Sequence, residues 1–183
     1  MAIWKEKRKV MQSYDVTSEI YEKRYGEEQQ RKYKKALEKV SASDKALLDV
    51  GCGSGLFFRE VAKDATVVVG VDISSKLLLK AKKQARGFPN AFVLQADADH
   101  LPFKKESFNG GFAFTVLQNM PNPNKTLVEL ERVIKREGRV VVTGLKKAFP
   151  LEKFMDILEN SSMQINTFVD DEDLNCYVAV LAV

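Results

Sequence analysis

The sequence predicts an α/β fold, a largely parallel sheet with helices on both faces, in a single domain. Three observations predict it. Strand-like and helix-like segments alternate from Leu47 to Glu159, the order from which parallel sheets are built. Thr66-Val-Val-Val-Gly-Val-Asp72 is a continuous apolar run rich in β-branched residues, as in strands buried on both faces. The last two strand-like segments, Met163 to Val169 and Leu174 to Ala182, are separated only by Asp170-Asp171-Glu172-Asp173. That loop is too short for a crossover helix, so one of the two strands must run antiparallel. At 183 residues the chain is long enough for one such domain.

Residues 1–12 are basic and expected to be loosely ordered, with Trp4 packing on the domain or on a partner. A helix is expected from Asp15 to Tyr25, with Asp15 as its N-cap and Gly26 interrupting it. Glu27 and Glu28 then open a second helix, with Gln30, Tyr33, Leu37 and Val40 on one face. These two helices precede the sheet and are the natural lid.

Leu47 to Val50 read as the first strand, and Leu56 to Lys63 as the first core helix. After the second strand, Ser74 or Ser75 caps a helix with Leu78, Ala81 and Ala85 inward, and Gly87 ends it. Lys76, Lys80, Lys82, Lys83 and Arg86 face out. Ala91 to Gln95 is the third strand. Phe108 to Phe114 is the fourth, where Gly110-Gly111 signals close backbone approach. A helix from Pro123 to Arg136 follows, striped by Leu127, Leu130 and Ile134. Arg139 to Thr143 is the fifth strand, and Leu151 to Glu159 the last helix.

Function is read from Leu47-Leu-Asp-Val-Gly-Cys-Gly-Ser-Gly55. Three alternate glycines turn the chain out of a strand, and without Cβ atoms they let a ligand lie against the main chain. A helix start beside them would offer free N–H groups. A dinucleotide site has G-x-G-x-x-G. Here the third glycine comes one residue early and an acid, Asp49, precedes the turn, which disfavours an NAD-dependent oxidoreductase. A buried carboxylate at that place repels a pyrophosphate but accepts hydrogen bonds from an ammonium group. The ligand is therefore expected to be a nucleoside bearing an amino acid.

Two further acids complete the pattern. Asp72 ends the second strand about twenty residues beyond the glycines, the place of a ribose-binding carboxylate in nucleotide-binding sheets. Ile73 would flank the base. Asp97 follows the third strand and can accept an exocyclic amine, with the Ala98 N–H meeting a ring nitrogen; Leu101 and Phe103 would close that pocket.

Composition limits the alternatives. The net charge of +4 permits contact with a polyanion without requiring it. Cys52 and Cys176 lie far apart, and His100 is the single histidine. No zinc cluster of these ligands can be assembled, and no metal is expected. The first residues contain no apolar core of a signal peptide, and no stretch reaches membrane-spanning length. The expectation is a cytoplasmic protein with no membrane partner.

Taken in order, LLDVGCGSG, VGVDIS, QADADHLPF, SFNGGFAF and LERVIKREGRVVV resemble the type 11, or ubiquinone-biosynthesis-like, group of class I S-adenosylmethionine (AdoMet) methyltransferases. The resemblance spans Leu47 to Val142. It implies a Rossmann-like seven-stranded sheet with the last strand antiparallel, and AdoMet across the strand carboxyl ends. Residues 1–45 would be the lid and 46–183 the AdoMet-binding core. Asp49, Gly51 and Gly53 would hold the methionyl portion, with Cys52 and Gly55 in the same turn. Asp72 and Ile73 would take the ribose and base edge, Asp97 and Ala98 the adenine, and Phe114 would lie near the transferred methyl group.

Three departures fall on the acceptor side. Asn109 replaces a usual acid, Gln118-Asn119 stand where many members have histidine, and Lys135-Arg136-Glu137-Gly138 replaces a proline-glycine turn. No general base is identified; Gln118, Tyr14 and Tyr25 are candidates for orienting an acceptor, and Tyr21 lies on the same lid. His100 is read as a surface turn residue. No D/N-P-P-Y/F/W motif follows strand four, which disfavours an amide or base-amine acceptor. A small-molecule acceptor is expected. One alternative is RNA, contacted by Lys5, Lys7, Arg8, Lys9 and the Lys76–Arg86 face, with a partner protein, because LLDVGCGSGL also resembles the opening motif of a ribosomal-RNA guanine methyltransferase group that has one. The other is a non-catalytic AdoMet-binding scaffold, for which Asn109-Gly110-Gly111 would be the support.

Overall fold

The computed structural model describes the backbone of residues 2–17 and 21–183, and side chains at 4–16 and 26–183. Strands β1 (Ala46–Val50), β2 (Val67–Asp72), β3 (Ala91–Gln95), β4 (Phe108–Ala113), β5 (Ile134–Leu145), β6 (Gln164–Val169) and β7 (Cys176–Ala182) form one sheet in the order β3-β2-β1-β4-β5-β7-β6. The first five are parallel, and β7 lies antiparallel between β5 and β6. The expected α/β class and antiparallel last strand are both present.

Side-chain alternation along each strand supplies both faces. On β1, Leu47 enters the core beneath helices α2 (Tyr21–Leu37), α3 (Phe58–Val61) and α4 (Ser75–Ala85), where Tyr33, Phe57, Phe58 and Ala81 are buried. Leu48 and Val50 enter the opposite core, beneath α5 (Pro123–Val133) and α6 (Leu151–Glu159), with Leu127, Leu130, Phe154 and Leu158. The sheet is thus doubly wound. From β1 the chain travels outward to β2 and β3, then returns to place β4 on the other side of β1. The connections leaving the carboxyl ends of β1 and β4 diverge, and a crevice opens between them.

Gly110 and Gly111 are explained by packing. A Cβ at Gly110 would lie 3.0 Å from Leu47 Cδ2, and one at Gly111 would lie 3.1 Å from Ile134 Cδ1. The close approach read from the sequence is therefore between β4 and its neighbours, and it takes away the feature offered for a degenerate scaffold.

Several boundaries differ from the expectation. The basic N-terminal segment is not loose: α1 runs Ala2–Thr17 and packs on α4. Its docking residues are polar, so apolar periodicity does not mark it. Asp15 is no N-cap; it lies in the last turn of α1 and accepts from Ser74 Oγ (2.5 Å) and the Lys76 N–H (3.3 Å). Gly26 sits inside α2 and interrupts nothing. Gln30 is exposed, whereas Gln29, Lys32, Tyr33, Ala36 and Val40 are buried. The helix from Pro123 ends at Val133, because Ile134 is drawn into β5 opposite Phe108. Pairing then shifts to Gly110 with Arg139. The extra residues form a bulge with Glu137 at φ 65°, in place of the proline-glycine turn.

Candidate active site

The glycine turn is left-handed at each of its three glycines, with φ of 70° at Gly51, 55° at Gly53 and 81° at Gly55. The Gly51 and Cys52 amides both donate to the Val71 carbonyl, at 2.7 and 3.0 Å, which ties the turn to β2. A Cβ on Gly51 would lie 2.4 Å from Val116 Cγ2, so this cradle needs glycine for space as well as for conformation. The helix expected from Leu56 begins later and is short, four residues from Phe58. The helix start therefore lies beyond the turn, and the turn's Gly51, Cys52, Gly53 and Gly55 amides already donate to oxygens of Val71, Asp72 and Cys52.

Asp72 closes the turn from β2. Its Oδ2 accepts the Gly53 N–H at 2.9 Å and its Oδ1 accepts the Ser74 N–H at 2.8 Å. Burial pushes the carboxyl above its usual range, and the hydrogen bonds from Ser74 and Gly53 partly counter this. Ser74 caps α4 by accepting from the Leu77 N–H at 3.1 Å. Cap, carboxylate and glycine turn form one rigid corner.

Two cavities meet there. The larger is lined by Gly51, Gly53, Asp72, Ile73, Asp97, Ala98 and Phe114. Helix α1 roofs it with Lys7, Val10 and Tyr14, and Thr115, Val116, Asn119 and Met120 form its β4 wall. The smaller lies between the turn and α2, lined by Asp49, Gly51, Cys52, Ser54, Gln29, Tyr33 and Phe114. Gly51 and Phe114 border both.

The smaller cavity holds buried polar groups that await partners. Asp49 is 3% exposed, and burial, then the charge of Asp72, pushes its carboxyl well above the usual range. Ser54 Oγ is buried with no hydrogen-bond partner. The same burial raises the Cys52 thiol, so it is an inert wall and not a nucleophile.

Of the sequence-predicted residues, Gly51, Gly53, Asp72, Ile73, Asp97, Ala98, Phe114 and Tyr14 line the larger cavity, and Asp49 and Cys52 the smaller. Gly55 lines neither; a Cβ there would meet the Phe58 ring at 3.0 Å and Ala81 Cα at 3.1 Å, so its place is in packing. Gln118 also lines neither, and its Nε2 donates to the Thr115 carbonyl at 2.7 Å. Beside it, Asn119 faces the cavity and donates to Tyr14 Oη at 2.9 Å. The side chains of Tyr21 and Tyr25 lie outside the described residues. His100 is exposed.

Lys7 is the residue that sequence reasoning placed elsewhere. It is 4% exposed, and its Nζ donates to both oxygens of Asp97, at 2.6 and 2.8 Å, and to Asp99 Oδ2 at 2.5 Å. Lys7, Val10 and Tyr14 recur at helical spacing, and that was the available signal. Removing a buried cation leaves two carboxylates facing each other, at a cost of several kcal/mol. In Lys7→Met we expect α1 to undock instead of bearing that cost. Amide exchange at residues 4–16 should rise about tenfold or more while β1 and β4 exchange as before. Unchanged protection of α1 would contradict this role.

A family model described as a methyltransferase domain matches residues 48–142. An uncharacterized protein of Methanocaldococcus jannaschii is 32% identical over 140 residues, 76% of this chain and 53% of that protein. A demethylmenaquinone methyltransferase of Tropheryma whipplei is 36% identical over 96 residues, 52% of this chain and 40% of the relative. The chain spans about half the length of the curated relatives it matches. Among solved structures, a SAM-dependent methyltransferase from Aquifex aeolicus superposes with a TM-score of 0.73 at 20% identity, covering 81% of this chain and 88% of that one. A Haloferax volcanii methyltransferase in complex with the Trm112 methyltransferase activator gives 0.78 at 15% identity, covering 92% and 95%. At these identities the structural likenesses speak for the fold.

Proposed function

The chain belongs to the methyltransferase-domain family, and on that premise we propose that it transfers the methyl group of AdoMet to a small-molecule acceptor. The observation that carries this reading is the pairing of the two cavities across Gly51 and Phe114. An adenosine fits the larger one, with its ribose hydroxyls on Asp72 and its base beside Ile73, Asp97 and Ala98. An amino-acid end fits the smaller one, where an ammonium group would meet Asp49 and a carboxylate the Ser54 hydroxyl. The residues present therefore suit AdoMet part by part, with the buried Ser54 Oγ left without a partner in the protein.

Bound AdoMet supplies a methyl group on a sulfonium, whose thioether departs without acid assistance. The chain's own work is alignment and exclusion. Gly51 and Phe114 fix the junction where the sulfur must lie, and the β4 wall sets the direction from which an acceptor approaches. Holding reactants in line supplies several kcal/mol of the barrier. Val10 and Tyr14 of α1 shield the crevice from water.

A small acceptor is favoured by this roof and by relatives named as demethylmenaquinone methyltransferases. RNA rests on the exposed Lys76, Lys82, Lys83 and Arg86 of α4, a pattern that ordinary solvated helices share. Incubation with methyl-labelled AdoMet and fractionated small molecules, tRNA or rRNA decides between them. Label should pass to a small-molecule fraction and be insensitive to salt. Salt-sensitive label in RNA would overturn the acceptor class, and label nowhere, with AdoMet bound, would favour a non-catalytic scaffold.

A further inference from the structure

Lys7 enters the larger cavity from α1 and ends on the carboxylate that the base would need. Both oxygens of Asp97 accept from its ammonium, at 2.6 and 2.8 Å, and Oδ1 also accepts the Asp99 N–H at 3.0 Å. An exocyclic amine is a neutral donor, so it meets an Asp97 already engaged by a stronger, charge-assisted one. The room is taken as well. With α1 docked, the larger cavity encloses about 80 Å³, whereas sites for small ligands run from about 300 Å³ upward. The adenosine placed there above therefore needs Lys7 to leave Asp97 and α1 to lift.

A place for Lys7 to go is built beside it. Its third contact is Asp99 Oδ2 at 2.5 Å, and the other Asp99 oxygen accepts from Thr126 Oγ1 on α5 at 2.7 Å. Asp99 and Thr126 are buried and line neither cavity. The two acids thus divide the ammonium between them. Asp97 faces the crevice with its side chain 19% exposed, and Asp99 faces the body of the domain at 2%. A ligand reaches the first and not the second. The other end of α1 is tied separately, where Asp15 accepts from Ser74 Oγ and the Lys76 N–H.

We propose that Lys7 is an exchangeable occupant of the base subsite: it latches α1 shut on Asp97 in the free chain, and an incoming 6-aminopurine nucleoside displaces it onto Asp99 alone. The inference rests on the transfer reading above and names how entry to that site is regulated. Asp99 keeps an anion on Lys7 throughout, so the exchange avoids the costly state, a buried cation with no partner. The latch still lowers affinity, because a ligand binds only the fraction of chains that are open. Held at Asp15, α1 swings without leaving and settles again over the bound nucleoside with Val10 and Tyr14. Asp97 thus serves the base and the latch in turn, and Asp99 is a positioning residue that touches no ligand.

The test is S-adenosylhomocysteine binding to full-length proteins, with affinity from calorimetry and rate from stopped-flow fluorescence of Trp4, the single tryptophan, one turn from Lys7 on α1. In the wild type the rate should level off as ligand concentration rises, because the latch opens before the ligand binds. Lys7→Met should bind about tenfold tighter, as expected if the latch is open about a tenth of the time, and its rate should stay proportional to concentration. Asp99→Asn keeps the side-chain shape and an oxygen for Thr126, yet should bind at least about tenfold more weakly, because the displaced ammonium then meets no anion. The double variant Lys7→Met/Asp99→Asn should match Lys7→Met. A Lys7→Met protein that binds more weakly than wild type overturns the proposal, because Lys7 would then serve the ligand. So does wild-type affinity in Asp99→Asn, which decides the matter even if Lys7→Met fails to fold. If S-adenosylhomocysteine binds none of them but adenosine binds in the predicted order, the transfer reading falls and the latch stands. If neither binds, both fall.

Discussion

Replacing Asp72 with alanine is expected to weaken S-adenosylhomocysteine binding by at least about a hundredfold. The carboxylate would hold the ribose hydroxyls through charge-assisted bonds worth roughly 1.5–3 kcal/mol each, and about 1.4 kcal/mol is a tenfold change in affinity. It also ties the Gly53 and Ser74 amides together, so the loss includes a looser turn. Asp72→Asn keeps one acceptor oxygen and should lose less. Calorimetric titration of the two variants measures both effects. Equal, wild-type affinity in Asp72→Ala would remove Asp72 from the site.

Asp49→Asn is expected to move stability and binding in opposite directions. Because burial raises the Asp49 carboxyl in the folded chain, the native state holds a proton that the unfolded state releases. Its stability contribution is present below the ordinary carboxylate range, near pH 4, and is lost as pH rises through the folded value. Replacing the carboxylate should therefore raise the melting temperature of the free protein at neutral pH. If the gain is about 1 kcal/mol, it amounts to ~2–4 °C for a chain of this length. The same variant should bind S-adenosylhomocysteine at least about tenfold more weakly, since a charge-assisted bond to the ammonium is lost. Methylthioadenosine, which lacks the ammonium, should bind both proteins alike. A variant that melts lower than wild type at neutral pH would show that Asp49 has a structural partner in the free protein.

How much of this was legible in the sequence follows from the kind of force at each element. The strands were readable because burial on both faces demands unbroken β-branched runs, and the boundaries of β3 and α6 agree with the structure. The glycine turn and Asp72 were readable because backbone geometry and carboxylate placement leave a residue signature. The lid was not. Helix α1 docks through Lys7 on Asp97 and Asp99, and through Asp15 on Ser74, and polar docking follows no hydrophobic period. Lys32 and Gln29 were hidden for the same reason: on a helix of low hydropathy, a buried lysine looks like a solvated one.

The central claim is that one ligand spans both cavities, its adenosine on Asp72 and its amino-acid ammonium on Asp49. Titrating S-adenosylhomocysteine into the protein in two buffers of different ionisation enthalpy tests it most directly. The account predicts one site per chain in each buffer, and Asp49→Asn weakens S-adenosylhomocysteine while leaving methylthioadenosine unchanged. Equal affinity of the two proteins for S-adenosylhomocysteine, or tighter binding of NADH than of S-adenosylhomocysteine, would contradict it.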